Sequence, residues 1–111
     1  MIDESILSEI GDNDVIIDVL TTFLDDAARL RREIEASIGT FDRDALSRAS
    51  HQLKSTAGSV GAGDLAAATG EIETAARKND PEAARAALVK LRAAYDPAEQ
   101  HLRAWLVRLR G

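Results

Sequence analysis

Between Ile16 and Ile38 the chain sets apolar residues at three- and four-residue steps: Ile16, Leu20, Phe23, Ala27, Leu30, Ile34 and Ile38. Each helical residue turns the chain by about 100°, so only a helix gathers that spacing onto one face. A strand would scatter the same residues to both sides. The segment is therefore a long amphipathic helix, and its apolar face needs other helices to cover it.

Glycine, proline and capping aspartates divide the remainder into further helices. A short first helix is expected near Ile2 to Ile10, ended by Gly11. Asp12-Asn13-Asp14 then offers N-caps for the long second helix, which should run to about Ser37 with Gly39 just beyond it. Asp42 caps a third helix whose stripe is Leu46, Ala49, Leu53, Ala57 and Val60, and Gly61-Ala62-Gly63 permits the turn after it. A fourth helix, from about Asp64 to Lys78, should bury Leu65, Ala68, Thr69, Ile72 and Ala75 or Ala76. At the next boundary Asp80 serves as N-cap and Pro81 takes the first helical position, where its missing N–H costs nothing.

In the last helix Ala84, Leu88, Leu91, Tyr95, Ala98, Leu102, Trp105 and Leu109 keep one stripe through Pro97. That proline lies on the outer side, so the expectation is a kink rather than a break. Short connections between long helices favour antiparallel neighbours. The reading is an all-α, antiparallel up-down four-helix bundle with a short additional N-terminal helix, forming a single domain over residues 1–111.

Composition narrows the function. The net charge of −5 opposes nucleic-acid binding, and the arginines from Arg103 to Arg110 read as cations complementing a helix C-terminus. With no cysteine there is no thiolate nucleophile and no cysteine-based zinc site. No apolar run is long enough to span a membrane, and Met1-Ile2-Asp3-Glu4 lacks the basic and apolar regions of a signal peptide. The expectation is a cytoplasmic protein, or a piece of one, without nucleic-acid or membrane partners.

His51 breaks the pattern of the third helix in an informative way, since it falls roughly 160° from the centre of the apolar stripe. Asp44, Ser47, Arg48, Lys54, Ser55 and Gly58 surround it on the outer face, most of them short enough to let another protein approach. Glycine inside a helix costs roughly 1 kcal/mol relative to alanine, so Gly58 fits close approach by a partner better than it fits folding. No histidine or carboxylate stands at the three- or four-residue step that metal coordination on one helix needs. His101, at the flank of the last stripe, lacks such a frame and reads as a packing or boundary residue.

The segment His51-Gln52-Leu53-Lys54-Ser55-Thr56-Ala57-Gly58-Ser59-Val60-Gly61-Ala62 resembles the histidine-containing phosphotransfer (HPt) domains of bacterial multistep phosphorelays. Their signature runs H-x-L-K-G, then small residues, then G-A or G-L. His51, Leu53, Lys54, Gly58, Gly61 and Ala62 match it, whereas Ser50 and Ser55 stand where alanine and glycine are usual. Phe23-Leu24, Asp42, Leu46, Leu65 and Ile72 extend the resemblance over most of the chain.

The resemblance implies that His51 is the phosphoacceptor, taking a phosphoryl group from a receiver-domain aspartate and passing it to another. A free histidine, with an ordinary pKa near 6.5, is mostly neutral at pH 7 and leaves a lone pair for attack on phosphorus, so no further activation is expected. Lys54, one turn along, would offset charge on the phosphoryl oxygens. Ser47, Arg48, Gln52, Ser55 and Gly58 are the candidates for touching the partner. With no phosphate-cradling glycine loop and no magnesium-binding acidic cluster, the chain reads as a monomeric phosphoryl carrier without autonomous kinase activity, needing no cofactor or metal of its own. Response-regulator receivers, a hybrid sensor histidine kinase, or both would be its partners. A chemotaxis-type phosphoacceptor fed by ATP, and a helical module that binds receivers or kinases without accepting phosphate, are the alternatives.

Overall fold

The computed structural model describes residues 2–111. These residues form five helices: α1 (Glu4–Ser8), α2 (Asn13–Thr40), α3 (Arg43–Ser59), α4 (Gly63–Arg77) and α5 (Pro81–Arg110). Aspartates begin four of them. The side chains of Asp3, Asp12, Asp42 and Asp80 accept from the main-chain N–H groups of Ser5, Val15, Ala45 and Ala83, satisfying donors that no helical carbonyl reaches.

Three helix ends share one device. Phe41, Gly61 and Asn79 take left-handed backbone angles, with φ of 48°, 77° and 56°. The next N–H in each case returns to an earlier carbonyl, Asp42 to Ser37, Ala62 to Ala57 and Asp80 to Ala75, at 2.8–2.9 Å. This is the Schellman arrangement, which satisfies carbonyls left over at a helix end. α2 therefore runs through Gly39, which was expected just beyond its end. Phe41 packs partly buried against the core, and that burial with the return hydrogen bonds offsets the cost of a left-handed non-glycine residue.

α1 is shorter than expected because the chain before it is used otherwise. Asp3 donates its N–H to the Gly61 carbonyl at 2.8 Å, and Ile2 pairs with Ala62 in an isolated antiparallel bridge. Only glycine suits position 61, since a Cβ there would collide with the Asp3 carbonyl.

The four longer helices close a ring in which α2 packs on α3, α3 on α4, α4 on α5 and α5 on α2. The short turns between neighbours make them antiparallel, in a rod of 45 × 20 × 19 Å. The expected stripes of α2, α3 and α4 are all buried, and so is that of α5 up to the half-buried Leu109. α5 continues unbroken through Pro97. Leu46, Leu53 and Ala57, all at 0 % exposure, lock the inner face of α3 into this core; truncating a leucine there costs about 2–5 kcal/mol. No helix of the described residues is long and apolar enough to cross a membrane.

Candidate functional site

With its inner face anchored, α3 presents His51 outward, its side chain 58 % exposed. Ser50 beside it is fully buried, and its hydroxyl donates to the Leu46 carbonyl at 2.6 Å, so it occupies a small core position without leaving a polar atom unsatisfied.

The imidazole is not alone. Glu73, on α4, is buried, and its Oε2 lies 2.8 Å from His51 Nδ1. Its Oε1 accepts from Lys54 Nζ at 2.6 Å, and Oε2 also accepts from Arg77 Nη2 at 2.7 Å. Burial raises the Glu73 carboxyl, but the hydrogen bonds from Lys54 and His51, and the charges of Lys54 and Arg77, outweigh it and hold the group below its ordinary value. It is therefore ionised near neutral pH and can only accept. Nδ1 must then carry the imidazole proton, and the lone pair of the neutral ring sits on Nε2. Among the described residues Nε2 has no hydrogen-bond partner.

The sequence reading has the imidazole stand alone, and the structure sets a carboxylate beside it. The carboxylate arrives from the next helix, so the three- and four-residue steps searched along α3 miss it. A signal did exist in the sequence. Glu73 stands four residues after Thr69, which is buried, and next to the buried Ile72, so helical geometry places it on the flank of the α4 stripe. An acid at such a place needs donors from the neighbouring helix.

Lys54 is half-buried. Its stem crosses α4 at Gly70, where a Cβ would lie 3.3 Å from Lys54 Cδ, so the absence of a side chain there leaves room for the lysine. One of its three N–H groups goes to Glu73, leaving others for a ligand. Arg48, Gln52, Ser55 and Gly58 are exposed and Ser47 is half-buried, all on α3. Arg48 makes no ion pair among the described residues; the second cation on Glu73 is Arg77. A Cβ at Gly58 would meet nothing within 4 Å, so no packing within the bundle requires glycine there.

His101 also has a carboxylate partner. Its Nε2 lies 2.6 Å from Glu4 Oε2, which accepts as well from Arg108 at 3.1 Å. Of the two readings it takes the packing one, since it ties α5 to α1.

No curated protein and no solved structure matches the chain. A family model, described as Hpt domain, matches residues 18–110, a span that includes α3, α4 and all four members of the Glu73 cluster.

Proposed function

Since the chain belongs to the Hpt domain family, and hence to the phosphotransfer chemistry of phosphorelays, we propose that His51 takes a phosphoryl group on Nε2 from a receiver-domain aspartyl phosphate and yields it to another receiver's aspartate. The observation that carries this reading is the buried Glu73 on Nδ1, which leaves the distal nitrogen of an exposed ring as the nucleophile.

In the forward step the Nε2 lone pair attacks phosphorus as the bond from phosphorus to the aspartyl oxygen breaks. The aspartate leaves as a carboxylate. Nδ1 keeps its proton, so the ring becomes a phosphorylated imidazolium. Glu73 faces the positive charge that develops, in the manner of a carboxylate supporting a reacting histidine, while Lys54 offers its remaining N–H groups to the phosphoryl oxygens. The return step reverses each of these changes. Ser47, Arg48, Gln52, Ser55 and Gly58 would lie under the docked receiver, and the carrier would act as a cytoplasmic monomer.

The test uses a receiver domain charged with acetyl phosphate, and separately potassium phosphoramidate as a small-molecule donor. Mass spectrometry should place the phosphoryl group on His51, and ¹H/³¹P NMR should identify the Nε2 isomer. A Nδ1 isomer, or label elsewhere, defeats the reading. Absence of any label with tight receiver binding would favour a pure interaction module.

A further inference from the structure

Oε2 of Glu73 serves two donors at once. His51 Nδ1 stands 2.8 Å from it and Arg77 Nη2 2.7 Å, whereas Oε1 has Lys54. Arg77 sits one turn beyond Glu73 on α4 with its side chain 64 % exposed. Arg43, from the start of α3, donates to the Arg77 main-chain carbonyl at 2.9 Å, so the helix end that carries the guanidinium is held independently of it. A carboxylate oxygen shared between a cation and an imidazole N–H gives the imidazole less of its charge than it would give a sole partner.

We propose that Arg77 is a positioning residue that attenuates the hydrogen bond between Glu73 and His51 and so sets the reactivity of Nε2. The proposal rests on the phosphoacceptor reading. Attack by Nε2 places positive charge on the ring, and the Glu73 carboxylate stabilises it; a guanidinium on the same oxygen opposes that stabilisation. Arg77 touches the oxygen that His51 uses, while the incoming phosphorus lies beyond the far nitrogen of the ring. Its effect through Glu73 therefore outweighs its direct attraction for the phosphoryl group. Lys54 differs in holding the other oxygen, where it orients the carboxylate without competing for Oε2.

Phosphoramidate is the probe, since it needs no protein partner: its P–N bond breaks as the Nε2–P bond forms, and ammonia leaves. Arg77→Ala should raise the initial rate at His51 about two- to fivefold, the scale of one exposed ion pair, and move the Nδ1 ¹⁵N and N–H resonances downfield. Arg77→Lys should restore the parental rate and shifts. In a Glu73→Gln background Arg77→Ala should have no effect on rate. An unchanged or slower rate for Arg77→Ala, or an equal effect in both backgrounds, overturns the proposal. A parent that takes no phosphoryl group on Nε2 would instead defeat the phosphoacceptor reading, and the Nδ1 resonances, which need no phosphoryl group, would still decide whether Arg77 weakens the hydrogen bond.

Discussion

The bundle contains two histidines, and each meets a glutamate that is also bound by an arginine. At one, Glu73 is 3 % exposed and holds His51 by Nδ1; at the other, Glu4 is 36 % exposed and holds His101 by Nε2. The residue types are nearly the same and the consequences are opposite. Binding at Nδ1 leaves free the nitrogen farthest from the main chain, on a ring that faces solvent. Binding at Nε2 occupies that distal nitrogen and turns the histidine into a tie between α5 and α1. Burial adds a second difference, since a carboxylate out of water acts on its partner with little screening. On the proposed reading, reactivity follows from which nitrogen is held and how dry the holder is, and a list of neighbours would not reveal it.

Exchanging each histidine gives the most severe test of this contrast. His51→Gln should abolish phosphoryl acceptance from a charged receiver, while His101→Gln should retain the parental rate; label on His101, or its loss in the His101 variant, would break the comparison. The carboxylates come next. Glu73→Gln should slow acceptance by about 10- to 100-fold, as the loss of a group that orients a reacting ligand commonly does, and Glu4→Gln should leave the rate unchanged. Lys54→Ala should slow transfer by about two- to tenfold, because its ammonium is partly exposed and screened. Single-turnover kinetics with one receiver measure all three, and thermal melts confirm that each variant is folded.

Stability should separate the two sites more gently. Glu4→Gln should cost no more than about 1 kcal/mol, in keeping with exposed ion pairs. Glu73 has a carboxyl held below its ordinary value of 4.5, so its contribution is complete above that pH and is lost as pH falls through the lowered value in the folded protein. The melting difference between the parent and Glu73→Gln should therefore be largest above about pH 4.5 and shrink on further acidification. A difference that grows below pH 4 would contradict the ionised, triply bonded Glu73.

Much of the fold was legible because burial obeys helical periodicity. The stripe from Ile16 to Ile38, the caps Asp12, Asp42 and Asp80, and the continuity of α5 through Pro97 all follow from local rules. The end of α2 did not, since the turn is made by Phe41 rather than Gly39, and what permits that is burial against distant residues. The candidate site divides in the same way. His51 and Lys54 announce themselves on one helix face. Glu73 and Arg77 do not, because a glutamate and an arginine in α4 look like ordinary surface residues until α3 is laid beside them. Arg48 and Arg77 make the point together: in the sequence only Arg48 stands within a turn of His51, and the packing of α3 on α4 instead brings in Arg77, the cation on Glu73.

The turn at Gly61, which joins α3 directly to α4, has a consequence for the order in which this protein assembles. His51 and Glu73 are 22 residues apart, whereas Glu4 and His101 are separated by 97. The entropy lost on closing a loop grows with its length, and local contacts are reached sooner than distant ones. The proposed phosphoacceptor centre thus belongs to a hairpin expected among the earliest tertiary contacts, with the N-terminal cap expected among the last. By the same reasoning the cap is able to fray without dismantling the centre, since no member of the Glu73 cluster relies on a hydrogen bond from α1.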